Sequence, residues 1–179
     1  MRDHLAALSR ILAVVNKAAL WASGIGLLLM TLFVSWQIFG RYVLNQSPSW
    51  TEPASLLLMS WFILLGSAVG VREGNHLGFE IGLHSAPPML RRCMLVVTEV
   101  LVIGFGAAMA WYGTDLAVGT WSAAMPGLPI SQGADYVPLV FGGVLIALFA
   151  LEKLVRLLLA GEEAPLVRHD EAHLVIAED

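Results

Sequence analysis

The sequence predicts an all-α membrane protein with four transmembrane helices and with both termini on the same side of the membrane. Three observations lead to this fold class. Apolar residues make up 58% of the 179 residues and charged residues only 13%, about half of the roughly 25% that is usual for soluble domains. Four apolar segments each approach the ~20 residues that cross a bilayer as a helix. Nearly all basic residues lie on one side of those segments.

The chain begins with a segment, residues 1–17, whose apolar residues recur at helical spacing: Leu5, Leu8, Ile11, Leu12 and Val15. This pattern indicates a short amphipathic helix that lies in the membrane interface. The alternative is that the segment simply extends the first span. Because the apolar run that follows is longer than the about 7–15 residues of a signal peptide, we expect it to be retained.

A transmembrane domain is expected over residues 18–160, with spans at about 18–39, 54–71, 93–116 and 137–159. Helices are the expected form because lipid offers no partners to backbone polar groups, so each segment must satisfy its own. Residues 161–179 contain six acidic residues and one basic residue, which predicts a solvated acidic tail.

The basic residues set the predicted orientation. When the N-terminus is placed in the cytoplasm, four spans return the C-terminus there, and nine of the ten Lys and Arg residues lie on the cytoplasmic side. Arg41 is the exception. The positive-inside rule therefore favours cytoplasmic termini. Aromatic residues would then form a belt near the outer surface, and they are Trp36, Trp50, Trp111, Tyr112 and Trp121.

An acidic residue, Glu99, lies about 10 Å into the third predicted span. An unpaired carboxylate at that depth is costly, so we expect Glu99 to be paired, protonated or in contact with water. Lys17 lies at the same level of the first span and is the predicted structural partner. The functional alternative is that Glu99 is a proton or ion site.

Three residues at the outer ends of the first two spans form a candidate contact site. Arg41 and Glu52 flank the first outer loop, and Trp50 lies between them at the level of the lipid headgroups. The functional interpretation is that they form a docking surface for an outer partner. The alternative is that the two charges only anchor the hairpin in the headgroup region.

Small residues in the spans predict close approach of helices. Gly66 and Gly70 form a GxxxG pair in the second span, and Gly104 and Ala108 offer a weaker version in the third. Such spacing leaves a flat strip on which another helix packs closely. The pattern fits packing within this chain as well as packing against a partner.

The composition argues against several classes of protein. With a net charge of −4 and no run of basic residues, the chain is not expected to bind nucleic acid. The single cysteine, Cys93, leaves no internal disulfide and no cysteine-based metal site. The predicted spans contain no histidine to ligate haem, and no nucleophile–base pair or metal-ligand set stands out. We therefore expect no enzymatic activity, no metal and no cofactor.

The stretch from Arg41 to Pro88 resembles the small membrane subunit of tripartite ATP-independent periplasmic (TRAP) transporters, the DctQ-like family. That family typically shows an Arg-aromatic pair at the end of the first span and a Trp-x-Glu-Glu start to the second. A Trp and a Gly follow within that span, and then an Arg…Gly-x-His step. The matching positions are Arg41, Tyr42, Trp50, Glu52, Trp61, Gly66, Arg72, Gly74 and His76. Pro53 departs from the pattern because it replaces the second Glu, which puts in doubt any role that needs two adjacent carboxylates.

The resemblance implies one part of a three-part transporter in the bacterial inner membrane. In such a system a periplasmic binding protein captures an organic acid, and a large membrane subunit moves it by a sodium-driven elevator motion. The small subunit braces the large one. The expected partners are therefore the large subunit, the binding protein and membrane phospholipids. The alternative is an independent, homo-oligomeric small transporter or channel that uses Glu99.

Overall fold

The computed structural model describes residues 2–46, 48–74 and 87–159, without the side chains of residues 2–8 and 88. Within these ranges the chain forms four long helices, α1 (Arg2–Tyr42), α2 (Thr51–Glu73), α3 (Pro88–Gly119) and α4 (Val137–Leu159). A short 3-10 helix, Gln132–Tyr136, leads into α4. All four long helices are apolar enough to cross a membrane, which confirms the predicted fold class. The predicted acidic tail and His76 lie outside the described residues.

The predicted N-terminal helix is continuous with the first span instead of forming a separate element. α1 contains 41 residues, which corresponds to about 60 Å, or twice the ~30 Å of the hydrocarbon core. The junction between the two parts is Asn16-Lys17-Ala18-Ala19. No Gly or Pro interrupts it, so nothing local stops the helix. α1 therefore either extends past the hydrocarbon core or crosses it at a steep tilt.

The four helices are arranged as a row, in the order α1, α2, α4 and α3. α2 packs on α1, α4 packs on α2, and α3 packs on α4, whereas the other pairs of these helices barely touch. A row, unlike a closed bundle, leaves each helix with a face that the rest of the described chain does not cover. Large apolar side chains such as Leu28, Leu101 and Trp111 are exposed on these faces. Such surfaces meet lipid or another membrane protein.

Glycines allow the closest contact in the row, which is the crossing of α3 and α4. A Cβ atom on Gly106 would lie 2.7 Å from the carbonyl oxygen of Gly143, and a Cβ atom on Gly143 would lie 2.7 Å from the carbonyl oxygen of Gly106. Gly142 lies against Leu64 in the same way where α4 meets α2. Bare backbone on these faces is what brings the helix axes together.

The two ends of the row differ in character. We call the end that contains Arg72 and Arg156 the basic end, and the opposite end, with the connections 43–50 and 120–131, the loop end. At the basic end, three helices meet in a buried apolar cluster formed by Leu12 of α1, Ala68 of α2 and Phe149 of α4. Arg72 lies beside this cluster, over the ring of Phe149.

Candidate functional site

Arg72, at the basic end of α2, holds three helices together. Its Nε lies 3.3 Å from Oε2 of Glu152 on α4, and its Nη2 donates a hydrogen bond to the carbonyl oxygen of Ser9 on α1. The guanidinium also lies over the ring of Phe149, 5.6 Å from its centroid. Glu152 pairs a second time with Arg156, at 2.6 Å. Because the Glu152 side chain is only 9% exposed, both of its partners compensate a buried charge.

Glu99 of α3 faces Lys153 of α4. Both side chains are half-buried, and the carboxylate interacts electrostatically with the ammonium group. Lys17 is exposed, and the described residues show no contact between it and Glu99. The expected partner of Glu99 is therefore corrected from Lys17 to Lys153. The physical reason is the order of the row, since α1 and α3 lie at opposite edges with two helices between them.

Lys153 also lies next to the C-terminal end of α2. A Cβ atom on Gly74 would lie 3.4 Å from the Nζ of Lys153. Gly74 ends α2 in the left-handed conformation, with φ of 75°, and its N–H donates to the carbonyl oxygen of Gly70 at 3.1 Å. A cation is stabilised there because the last carbonyls of a helix carry partial negative charge. Lys153 thus lies close to the end of α2 and within electrostatic range of Glu99 on α3.

A third polar contact at the basic end links α1 to α2. The Nδ2 of Asn16 donates to Oε1 of Glu73 at 3.4 Å. The Oδ1 of Asn16 is buried and has no hydrogen-bond partner in the described part of the chain. A buried acceptor without a donor is destabilising, so this oxygen requires a water molecule or a donor from outside the described residues.

The three candidate docking residues lie together at the loop end. Trp50 packs edge-on against Phe33 of α1, with 5.4 Å between the ring centroids. Arg41 and Glu52 are both exposed, and no ion pair joins them in the described ranges. The structure therefore places these side chains at one end of the row and leaves both charges accessible.

The second connection at the loop end packs on the first. Gly127 has φ of +85°, and a Cβ atom there would clash with the carbonyl oxygen of Ser49. Ser131 fixes the same connection from within, because its Oγ donates to the carbonyl oxygen of Trp121 at 2.6 Å and accepts from the N–H of Gly133 at 3.1 Å. Met125 is buried beneath it. The described parts of the two connections therefore pack together into one surface at the loop end.

The two glycines of the GxxxG pair have different surroundings. Gly66 faces α1, where a Cβ atom would lie 3.1 Å from the Oγ of Ser23. Gly70, in contrast, has no neighbouring atom of the described residues within 4 Å of a Cβ position, and the same is true of Gly104 in α3. Gly66 is thus used in packing within the chain, whereas Gly70 and Gly104 face open space.

Four membrane-length helices that leave broad apolar faces uncovered indicate a protein of the membrane interior. A family model described as the DctQ component of tripartite ATP-independent periplasmic transporters matches residues 30–160. The chain belongs to this family. The match includes about the last third of α1 and all of α2, α3 and α4. This DctQ-family chain is therefore a multi-pass membrane protein and a transporter component.

Curated relatives of this DctQ-family chain are small permease proteins of TRAP transporters. The C4-dicarboxylate TRAP transporter small permease protein DctQ of Vibrio cholerae is 29% identical over 101 residues, and the match covers 48% of this chain and 44% of the relative. The sialic acid TRAP transporter small permease protein SiaQ of the same species is 26% identical over 125 residues, or 70% and 72% of the two chains. A putative TRAP transporter small permease protein of Haemophilus influenzae is 25% identical over 132 residues, or 72% and 80%.

The structure gives a physical task to several positions of the DctQ motif. Arg72 joins three helices, and Gly74 supplies the left-handed end of α2. Trp61 packs against Phe141 of α4, with 5.8 Å between ring centroids. Tyr42, the last residue of α1, is exposed. The first three positions therefore serve packing of the row, and Tyr42 contributes to its outer surface.

Sequence reasoning missed the roles of Glu152 and Lys153. Both lie near the end of the predicted span 137–159, and no partner was assigned to either. A signal was available, because charges at the end of an apolar segment are costly unless they are paired. Gly106 and Gly143 were also missed, and for them the sequence offers no signal that separates them from the exposed Gly104.

Proposed function

We propose that this chain is the bracing subunit of a TRAP transporter, supporting a large elevator-type membrane subunit during sodium-coupled, binding-protein-dependent uptake of an organic acid. The observation that supports this role is the open row of helices. Three charged side chains at its basic end, Arg72, Glu152 and Arg156, pair with one another, and its apolar faces are free for a partner in the membrane. A brace needs rigid internal contacts and an uncovered apolar surface.

The substrate class follows from the relatives rather than from this chain. The names of two relatives refer to C4-dicarboxylates and to sialic acid, both of which are carboxylic acids. We therefore propose that the transporter to which this chain belongs also takes up an organic acid. Recognition of the particular acid is assigned to the binding protein and the large subunit.

The proposed orientation places the basic end in the cytoplasm and the loop end in the periplasm of a bacterial inner membrane. The positive-inside rule supports it, because Arg72, Arg91, Arg92 and Arg156 all lie at the basic end. The loop end then carries the docking surface. Arg41, Trp50 and Glu52 are proposed to seat the binding protein or the large subunit there, supported by two accessible charges beside a fixed aromatic ring.

Purification of the tagged chain from its native membrane in mild detergent tests the bracing role. We expect a large multi-spanning membrane protein to co-purify in stoichiometric amount, because the uncovered apolar faces need a partner. The co-purifying proteins are identified by mass. A homogeneous homo-oligomer, with no second membrane protein, would contradict the proposal.

The second candidate function is that of an independent transporter, and the Glu99–Lys153 pair is the observation that favours it, since ionisable residues inside a membrane often mark ion pathways. The substitution Glu99→Gln separates the two functions. For a brace, we expect transport to fall only in proportion to the amount of assembled complex. Complete loss of transport by a normally assembled complex would instead favour the independent transporter.

A further inference from the structure

A groove between α3 and α4 opens at the loop-end half of the row. Its volume is about 660 Å³, and its lining is apolar except near one rim. Ala107 and Ala110 of α3 and Ala147 of α4 form the floor, Trp111 stands beside it, and Asp115 lies at the rim. From Ala107 to Val118 the groove follows α3 over 12 residues, or about 16 Å. That length matches one leaflet, half of the ~30 Å hydrocarbon core.

The rim of this groove carries an uncompensated negative charge. Asp115 is exposed and forms no hydrogen bond or ion pair within the described residues. It lies four residues before Gly119, the last residue of α3, and the last turn of that helix has no basic residue. Because the C-terminal end of a helix already carries partial negative charge, a cation beside a carboxylate there is favourable.

The chain itself has little positive charge to offer at this end. The described part of the loop end contains the acidic residues Glu52, Asp115 and Asp135 and a single basic residue, Arg41. Helices of a partner in the same membrane are expected to be poor in Lys and Arg at the same level, because the positive-inside rule concentrates those residues at the other side. The headgroup of an aminophospholipid supplies the missing cation at the right depth.

We propose that the α3–α4 groove binds an aminophospholipid of the leaflet at the loop end. The ammonium group of the headgroup pairs with the carboxylate of Asp115, and one acyl chain lies along the alanine floor beside Trp111. The alanines give the chain room that larger side chains would fill, and the ring of Trp111 offers an apolar face beside them. This site concerns the isolated chain and does not depend on the bracing function.

Native mass spectrometry of the purified full chain tests this site, with phosphatidylethanolamine and phosphatidylglycerol offered separately as probes. We expect the wild-type chain to retain phosphatidylethanolamine in preference to phosphatidylglycerol. Asp115→Asn should weaken retention of phosphatidylethanolamine by about fivefold, the equivalent of one interfacial charge contact, and leave retention of phosphatidylglycerol unchanged. The control Asp135→Asn removes the charge of an acidic residue at the same end but outside the groove, and should change neither.

A second variant tests the floor without altering charge. Ala110→Trp fills the groove and should lower retention of both lipids, while gel filtration reports whether the chain remains folded. Equal retention of the two lipids by the wild-type chain would overturn the proposal, as would undiminished phosphatidylethanolamine in Asp115→Asn. The same holds if a co-isolated membrane protein displaces the lipid from the wild-type chain, because the groove would then seat a protein helix.

Discussion

Replacing Gly106 with alanine is expected to destabilise the protein by about 3 kcal/mol, at the upper end of the range for overpacked sites. The added Cβ atom would lie 2.7 Å from the carbonyl oxygen of Gly143 and 2.9 Å from the backbone nitrogen of Ala147. Both are backbone atoms of α4, so no side chain can rotate away. The only relief is to move α3 off α4, which opens the edge of the row. Titration with a denaturing detergent measures the change in the free energy of unfolding.

Gly104 offers a matched control on the same helix. It is exposed, and a Cβ atom there would meet no atom within 4 Å. Gly104→Ala should therefore leave stability unchanged or raise it by up to about 1 kcal/mol, since alanine favours the helix more than glycine does. Equal stability of Gly106→Ala and Gly104→Ala would contradict the backbone-to-backbone contact between α3 and α4.

These two glycines also show how far the sequence could predict the fold. Apolarity over about 20 residues identified four spans, because crossing lipid imposes that length and composition on any helix. It could not show which side of a span faces its neighbour, since the lipid-facing sides are as apolar as the packed ones. The weak motif at Gly104 and Ala108 therefore drew attention to an exposed face, and the contact at Gly106 passed unnoticed.

The sequence predicted the presence of four helices more accurately than it predicted where each helix begins and ends. The fourth span, 137–159, coincides with α4, but α1 begins at Arg2 and α3 extends from Pro88 to Gly119. Apolar composition marks the part of a helix that meets lipid, and a helix continues beyond it wherever no Pro, Gly or cap interrupts it. The first 17 residues were for this reason assigned to a separate element.

The depth of Glu99 in its span could not by itself determine which lysine lies beside it. Counting residues gave Glu99 a predicted depth in the third span, and Lys17 was a reasonable cation at that predicted level. Which helix stands beside α3, however, depends on the order of the row, and that order follows from how the glycines and side chains of four helices fit together. The sequence therefore predicted that Glu99 has a cationic neighbour but named the wrong lysine.

Replacing Glu152 with alanine is expected to produce the other large effect, a loss of about 3 kcal/mol in the free energy of unfolding. Removal of one partner from a buried ion pair leaves the other charge uncompensated, which typically destabilises by about 3–5 kcal/mol. We expect the lower end of this range because the side chain of Arg72 is still 19% exposed to solvent. Without this carboxylate, α4 loses its ion pair with Arg72. The Glu152 carboxylate then no longer holds the guanidinium in place for its hydrogen bond to Ser9 of α1.

Two further variants separate the buried pair from the surface pair on the same carboxylate. Arg156→Ala removes the partner whose side chain is 60% exposed, so it should alter stability by no more than about 0.5 kcal/mol. Arg72→Met combined with Glu152→Met replaces both buried charges with apolar chains of similar length and should recover most of the loss caused by Glu152→Ala, since a buried pair is often replaceable by packed apolar side chains. A double variant as unstable as Glu152→Ala would show that Arg72 stabilises α1 and Phe149 independently of Glu152. If Arg156→Ala lost as much stability as Glu152→Ala, the result would contradict the assignment of the stabilising contact to the Arg72–Glu152 pair.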